Sequence, residues 1–317
     1  MVAGYAPAAL EEIEAARERI AGTVVRTPLV RLQGDVHIKL ENLQPIGSFK
    51  LRGAGNALAL ADEEQLAAGI WTASAGNMAQ AVAWFARARE HQCAVVVPET
   101  APATKLDAIA RLGAEVVKVP PETWFEVFRT RAYPGMDGFF VHPFSDPNVI
   151  AGNATIGLEI AEDLPDVEAV IVPYGGGGLI AGIASGLRAV APRCKVYACE
   201  VETAAPLAPS LAAGEPVEVE HRRSFVDGIG GPRVFPEMFE LVRQLIEGSI
   251  VVSVAEIAQA VRLLAERSHV VAEGAGAAPV AAALTGRAGT GKIVCVVSGG
   301  NIDTDVLRTI LAGETPS

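Results

Sequence analysis

The sequence lacks the features that mark membrane, secreted and nucleic-acid-binding proteins. Half of its 317 residues are hydrophobic, yet no uninterrupted apolar stretch reaches the roughly 18 residues that a membrane span needs. The N-terminus has no basic region followed by an apolar core, so no secretory or organelle signal is indicated. A net charge of -11 argues against nucleic-acid binding. We therefore expect a cytoplasmic protein that acts on small molecules, without nucleic-acid or membrane partners.

Cysteine and histidine are also scarce. The four cysteines form no Cys-x-x-Cys pair, and the five histidines lack the close spacing of a helical zinc site. The sequence therefore predicts neither a metal site nor a cysteine nucleophile. The chain is long enough for two domains with buried cores, which need no disulfide or metal to hold them together.

Short apolar runs alternate with amphipathic segments along almost the whole chain, as in parallel strands joined by helices. The predicted strands are residues 37–40, 69–74, 93–98, 114–119, 138–142, 169–174, 195–200 and 292–300. The predicted helices are residues 7–21, 48–60, 77–90, 102–112, 121–131, 152–163, 178–190, 235–247, 254–268, 274–285 and 303–312. This pattern predicts an α/β fold with open, twisted, mostly parallel sheets. Residues 45–144 form a self-contained series, which predicts a small α/β domain inserted into a larger one made of residues 1–44 and 145–317.

Ligands of open α/β sheets bind beyond the carboxyl ends of the strands. Four such ends carry glycine and small polar residues, in the stretches "IGSFK", "SAGN", "GGGGL" and "SGGN". In "PYGGGGLIAGI", Gly175 to Gly178 join a strand to a long helix, so backbone N-H groups converge on the helix N-terminus and favour a phosphate. A merely flexible turn would more often mix glycine with Ser, Asn or Asp. The stretch is not a P-loop, and Glu200 at the next strand end leaves a dinucleotide site as a weaker alternative.

Lys50 in "GSFKLRGA" is one of six lysines in the chain. A lone lysine is most often a solvated surface cation. Lysine is nevertheless the side chain that forms a Schiff base with an aldehyde cofactor, and an apolar setting lowers its pKa towards the reactive amine. Together with the phosphate loop and the other strand ends, Lys50 points to pyridoxal 5'-phosphate.

The chain resembles the fold-type II pyridoxal phosphate enzymes, which have a tryptophan synthase β-like fold. Within them it is similar to the serine/threonine dehydratase and serine racemase family. The resemblance is carried by "KLENLQPIGSFKLRGA", "SAGNMAQAVAW", "HPFSDPNVIAGNATIGLEI", "PYGGGGLIAGI" and "VSGGNID". These segments follow the family's order from about residue 26 to residue 303, which is nearly the whole chain.

The resemblance implies a role for each residue of these motifs. Lys50 would bind the cofactor covalently and then remove the α-proton of the substrate. Phe49 would pack on the pyridine ring, Asn77 would bind the 3'-hydroxyl and Ser298 would face the ring nitrogen. The phosphate would be held by Gly175, Gly176, Gly177, Gly178 and the backbone of Leu179. The substrate carboxylate would be bound by Ser74 and the backbone of the loop formed by Ala75, Gly76, Asn77 and Met78.

The resemblance also favours one reaction, the β-elimination of water from L-serine or L-threonine to give a 2-oxo acid and ammonia. Racemases of this family carry a serine where Ala75 stands, and alanine cannot exchange protons. Other members of the fold that remain as alternatives are a racemase, a β-replacement enzyme such as a cysteine synthase, and a protein that binds the cofactor without turnover. Met78 and Asn153-Ala154 depart from the residues of many relatives, so a different β-hydroxy amino acid is a further alternative.

The resemblance also bears on metal binding and assembly. Relatives that bind a structural divalent cation carry an acidic residue at the position of Pro206. Proline has no side-chain oxygen, so no metal is predicted at that site. A homodimer is expected because relatives commonly form one. The resemblance implies that Glu273 lies near the cofactor, and a helix-start residue is an equally good interpretation. Asp227 is interpreted first as a turn residue, and we do not predict either residue to be catalytic.

Overall fold

The computed structural model describes residues 5–316 and contains two open sheets. The strands are β1 Leu29–Gln33, β2 Val36–Leu40, β3 Ile70–Ala73, β4 Cys93–Pro98, β5 Glu115–Val119, β6 Phe139–Phe140, β7 Ala169–Pro173, β8 Lys195–Val201, β9 Gly248–Val252 and β10 Ile293–Val297. The larger sheet has the order β1-β2-β10-β7-β8-β9, and the smaller has the order β5-β4-β3-β6. Strands β1 and β2 pair in antiparallel fashion, and the other neighbours in these two sheets are parallel. The predicted α/β class with two mostly parallel sheets is therefore confirmed.

Helices cover the sheets on both faces. They are α1 Leu10–Ile20, α2 Lys50–Ala59, α3 Glu63–Ala67, α4 Asn77–Ala88, α5 Ala103–Arg111, α6 Pro121–Thr130, α7 Pro147–Asp163, α8 Gly178–Val190, α9 Leu207–Ala213, α10 Pro236–Val242, α11 Val254–Ser268, α12 Gly274–Leu284 and α13 Thr304–Leu311. Among residues 5–316, no helix combines the length and the apolar character that crossing a membrane would require.

The predicted elements differ from the structure at a few places. Strands β1 and β9 and the short helices α3 and α9 are additional to those predicted. Helix α7 begins at Pro147 rather than at residue 152, because the Asp146 carboxylate accepts from the N-H groups of Asn148 and Val149 and caps it. All four strands of the smaller sheet lie within residues 45–144, while the domain boundaries themselves remain a prediction.

The core of the larger sheet lies on both of its faces. Strand β10 is fully buried, and its side chains alternate between the two layers. Ile293, Cys295 and Val297 pack with residues of α11 and α12, whereas Val294 and Val296 pack with residues of α7 and α8. Packing on both faces fixes the carboxyl end of β10 between the carboxyl ends of its neighbours β2 and β7.

Four buried charged residues form an ionic cluster at α2, the helix that begins at Lys50. They are Lys39, Glu41, Arg52 and Glu159. Arg52 donates to Glu41 and to Glu159 at 2.8 and 2.7 Å, and the Lys39 Nζ lies 2.7 Å from Glu159. Two cations thus face two carboxylates in the protein interior. The ionic cluster links α2 to the end of β2 and to α7, and so fixes the helix that begins at Lys50.

Candidate active site

Three of the predicted site segments meet because their strands are neighbours. Strands β2, β10 and β7 lie side by side and run parallel, so the lysine segment, "SGGN" and the glycine loop leave the same edge of the sheet. The Phe49 N-H donates to the Ser298 carbonyl at 3.0 Å, and the Gly300 N-H donates to the Gly47 carbonyl at 2.9 Å. These backbone contacts fix the lysine segment against the end of β10.

Lys50 is the first residue of α2, and its amine is directed at a carbonyl rather than at an acid. The Nζ donates to the Pro143 carbonyl at 2.6 Å and lies 5.0 Å from the centroid of the Phe49 ring. Burial of the amine lowers the pKa of Lys50 to about 8, although the charge of Glu273 acts in the opposite direction. A substantial fraction of the amine is therefore neutral near physiological pH, as a nucleophile or base requires.

The glycine loop joins β7 to α8 and leaves an open anion site. Gly177 has a φ of +90°, which favours glycine, and a Cβ on Gly176 would lie only 2.3 Å from the Phe144 ring. A Cβ on Gly178 would lie 2.6 Å from the Phe144 carbonyl oxygen. Helix α8 has no side-chain cap at Gly177, so the N-H groups of its first turn can donate to a ligand oxygen. Leu179 lies in that turn and is buried.

The "SAGN" segment follows β3 of the smaller sheet and opens α4. The Ser74 hydroxyl accepts from the Gly76 N-H at 3.2 Å, and α4 begins at Asn77 with no side-chain cap. This segment can therefore bind a carboxylate through backbone N-H groups. The Met78 side chain packs in the core with Leu51 and Val141, so only its backbone can take part.

Asn77 joins the two sheets through side-chain hydrogen bonds. Its Nδ2 donates to Glu273 Oε1 at 2.9 Å, and its Oδ1 accepts from Asn301 at 2.7 Å. Burial, followed by the nearby charge of Asp227, raises the pKa of Glu273 to about 7. Glu273 does start a helix, α12, as its sequence context suggested. The family resemblance implies that Glu273 lies near the cofactor, whereas its contact with Asn77 is what sequence reasoning missed, since no local motif signals it.

An ion pair spans the rim of the site. Lys105 on α5 contacts Asp227 at 2.5 Å. The loop after Asp227 lies against both sides of the site, because a Cβ on Gly228 would be 3.5 Å from Glu273 Oε1 and one on Gly175 would be 3.5 Å from the Gly228 carbonyl oxygen. The pair therefore bridges the smaller sheet region and the loop beside the glycine segment.

Glu200 is engaged inside the protein. Its two carboxylate oxygens accept from the N-H groups of Leu207 and Ala208 and from the Ser249 hydroxyl, at 2.6 to 2.9 Å. Glu200 is fully buried at the end of β8, and its carboxylate lies at the N-terminus of α9. Glu200 is thus occupied by protein donors, which argues against the ribose-binding role that the dinucleotide alternative needs.

The departures at Asn153 and Ala154 lie below the glycine loop. Asn153 is buried on α7 and donates to the Gly178 carbonyl at 3.2 Å. Ala154 is fully buried and packs with Ile13 and Leu158. Both residues pack against α8, where a Cβ on Gly182 would meet them.

Comparison with known proteins gives a family match over most of the chain. Residues 20–299 match the model of the family described as pyridoxal-phosphate dependent enzyme. The L-threonine ammonia-lyase of Thermotoga maritima is 41% identical over 313 residues, which cover 95% of this chain and 78% of that protein.

Solved structures are similar over nearly the full length. A maize serine racemase superposes with a TM-score of 0.88 at 31% identity, covering 97% of this chain and 98% of the other. A threonine deaminase from T.th. superposes with a TM-score of 0.85 at 35% identity, covering 93% and 99% of the two chains. The fold is thus shared by racemases and deaminases.

Proposed function

The chain belongs to the family of pyridoxal-phosphate dependent enzymes, and we propose that it removes water from L-threonine or L-serine to give a 2-oxo acid and ammonia. The observation that carries this proposal is the Lys50 amine, whose pKa is lowered to about 8, beside an uncapped helix N-terminus suited to a phosphate. The relatives named threonine ammonia-lyase and threonine deaminase support a lyase that acts by β-elimination.

The residues present fit pyridoxal 5'-phosphate. A Cβ at Gly176 or Gly178 would meet Phe144, so glycine is required where the loop packs on that residue. The first turn of α8 has no side-chain cap, so its N-H groups remain available to the phosphate oxygens. We propose that Gly175 to Gly178 and the backbone of Leu179 hold the phosphate and that Lys50 holds the aldehyde carbon. Asn77 keeps one amide hydrogen free of Glu273 and would use it for the ring hydroxyl. Phe49 would pack on the ring and Ser298 would face its nitrogen.

When bound, the cofactor withdraws electrons from the α-carbon of the amino acid, and this weakens the bond to the α-proton. The N-H groups at the start of α4, together with Ser74, would orient the carboxylate so that this bond faces Lys50. The substrate amine would replace Nζ on the aldehyde carbon, and the neutral Nζ released in this way would take the α-proton while it keeps its hydrogen bond to Pro143. Returning that proton to the β-hydroxyl lets the hydroxyl leave as water, which balances the elimination. Hydrolysis of the remaining enamine gives the 2-oxo acid and ammonia.

Ala75 favours elimination over racemisation. A racemase needs a second acid or base on the face of the α-carbon opposite Lys50. Ala75 follows Ser74 in the loop that opens α4 and has no ionisable group. Racemase activity is the second candidate because a serine racemase shares this fold, and we expect it to be the minor activity here.

The test is to incubate the purified holoenzyme with L-threonine, L-serine and D-serine, to measure 2-oxo acid, and to follow serine enantiomers by chiral chromatography. Oxo acid from the L-amino acids, with little D-serine formed, would support the proposal. Rapid interconversion of serine enantiomers with little oxo acid would replace it with a racemase. A holoenzyme with bound cofactor and neither product would indicate a β-replacement enzyme or a binding protein.

Location and assembly are separate parts of the proposal. We propose a cytoplasmic homodimer, on the basis of the family resemblance. Light scattering coupled to size-exclusion chromatography tests the second point. A mass near 33 kDa rather than twice that value would contradict the dimer.

A further inference from the structure

We propose that His142 is a positioning residue for Lys50, acting through the turn formed by His142, Pro143 and Phe144. This inference rests on the proposed function, since it assigns His142 a part in holding the reactive amine. Neighbouring residues of this turn contact both the lysine and the glycine loop.

His142 fixes the turn by accepting two backbone hydrogen bonds. Its Nδ1 accepts from the Ser145 N-H at 2.8 Å and from the Phe144 N-H at 3.3 Å. The ring is 2% exposed, so these donors have no water to replace it. Asp146 makes the same contacts with the N-H groups two and three residues onward, where it caps α7. His142 therefore caps this turn as Asp146 caps α7, although no helix begins at the turn.

The turn carries two functional contacts on adjacent residues. The Pro143 carbonyl accepts from Lys50 Nζ at 2.6 Å, across 93 positions of sequence. The next residue, Phe144, lies so close to the glycine loop that a Cβ on Gly176 would be 2.3 Å from its ring. A change in the direction of the turn would thus move the acceptor of the amine and the support of the phosphate loop together.

The acceptor must also be neutral. A buried carboxylate in place of the imidazole would stabilise the ammonium form of Lys50, which is the form that cannot act as a base. Burial, the positive charge of Arg131 and that of Lys50 lower the pKa of His142 to about 3, against a hydrogen bond to the Phe128 backbone. The rings of Phe128, Phe140 and Phe144 surround it at centroid distances of 5.9, 5.8 and 4.6 Å. A neutral imidazole is thus an acceptor that leaves the amine reactive.

Two substitutions separate the acceptor from the ring. His142→Phe keeps an aromatic ring among the phenylalanines and removes the acceptor. His142→Asn removes the ring and keeps an oxygen close to the position of Nδ1, as Asp146 has at its own cap. Positioning through the turn predicts that the Asn variant retains function and the Phe variant does not. Packing alone predicts the reverse order.

The first measurement is the rate at which the apoprotein binds pyridoxal phosphate covalently, followed by absorbance, with pyridoxal as a second probe that lacks the phosphate. In this step Nζ forms a C=N bond with the aldehyde carbon and water is released. We expect His142→Phe to slow attachment of both probes by about 10- to 100-fold, the range for a reacting group displaced by about 1 Å. His142→Asn should stay within about threefold of the native rate, since it keeps the acceptor.

The second measurement is steady-state kinetics of the holoenzyme. We expect kcat to fall in His142→Phe while KM for the amino acid changes little, because its carboxylate is bound at α4 rather than at the turn. Equal losses in the Phe and Asn variants, or a normal attachment rate in His142→Phe, would overturn the proposal.

A third variant covers a failure to fold. If thermal unfolding shows that His142→Phe is not folded, His142→Asn is compared with His142→Gln, whose longer side chain moves the oxygen away from Nδ1. Attachment that is no faster in the Asn variant than in the Gln variant would overturn the proposal. The attachment assay needs no amino acid, so it still tests His142 if the native protein proves inactive on L-threonine and L-serine.

Discussion

Lys39 and Lys50 belong to two regions that both hold buried charge, and only in one region is an acid placed directly against the lysine. In the ionic cluster, Lys39 lies 2.7 Å from Glu159, and Arg52 contacts Glu41 and Glu159. In the site, Lys50 has a backbone carbonyl as its hydrogen-bond acceptor, and burial lowers its pKa to about 8. Burial alone does not distinguish the regions. The difference is whether an acid is placed against the cation, because a buried amine without one favours its neutral form.

Helix α2 joins the two regions. Its first residue, Lys50, reaches the site, while Arg52, two positions later, is 1% exposed and reaches the ionic cluster. Residues two apart on a helix point in different directions. The same short helix can therefore be anchored by the ion pairs of Arg52 and present the amine of Lys50, which has no acid directly against it, to the site.

The largest expected effect comes from Lys50→Ala. Loss of the base and of the covalent attachment point should lower kcat by about 10⁴-fold or more. The thermal unfolding temperature of the apoprotein should fall little, because Lys50 donates to a carbonyl rather than to an acid and Glu273 keeps its hydrogen bond from Asn77. A variant that lost stability in proportion to activity would contradict this contrast with the ionic cluster.

Arg52→Met should produce the opposite pattern, a large loss of stability. The change leaves the buried Glu41 carboxylate without its cation and leaves Glu159 with Lys39 alone, which costs about 3–5 kcal/mol of unfolding free energy. Urea unfolding of the apoprotein measures it. Arg17→Met is the matched control, because Arg17 pairs with Glu162 at 2.6 Å with both side chains over 40% exposed. Such a pair contributes about 0–1 kcal/mol, and equal losses in the two variants would argue against the ionic cluster as the anchor.

Glu273→Gln should alter the pH dependence of the site. The carboxylate charge raises the pKa of Lys50, so its removal should move that pKa below the value of about 8 found in the native chain. The neutral amine is the form present above the pKa. Cofactor attachment to the apoprotein should therefore reach its half-maximal rate at a lower pH and be about two- to fivefold faster at pH 7. The glutamine oxygen can still accept from Asn77, and a midpoint that does not move would show that Glu273 is already neutral in this pH range.

The smallest expected effect is that of Lys105→Met. The pair with Asp227 spans the rim, but Asp227 is 53% exposed, so water screens the attraction and the loss of unfolding free energy should stay within about 1 kcal/mol. Urea unfolding of the Lys105→Met and Arg52→Met apoproteins gives the two losses of unfolding free energy to be compared. A loss as large as that of Arg52→Met would mean that the rim pair holds the two sheet regions together.

Predictability from sequence followed the strength of the local signal. The bounds of α8 and α11 agree with the prediction, since the glycine loop marks the first and the Ser253 capping box marks the second. Strands β1 and β9 were missed, and they are the two edges of the larger sheet. An edge strand pairs on one side only, and none of the side chains of β1 is fully buried, so its apolar pattern is weak.

The sequence by itself determined the parts of the site that lie within one segment. Lys50 between a strand and a helix, the four glycines and the "SAGN" loop each have a chemical meaning that local backbone geometry already supplies. Only the tertiary structure decided which segments meet, as in the contacts of Asn77 with Glu273 and of Lys50 with Pro143, which span 196 and 93 positions. It also decided that Lys39 has Glu159 placed against it in addition to the Thr27 carbonyl, whereas Lys50 donates to the Pro143 carbonyl. The physical reason is that a pKa depends on the charges, donors and solvent around a group, and sheet order and helix packing bring these together from segments far apart in the chain.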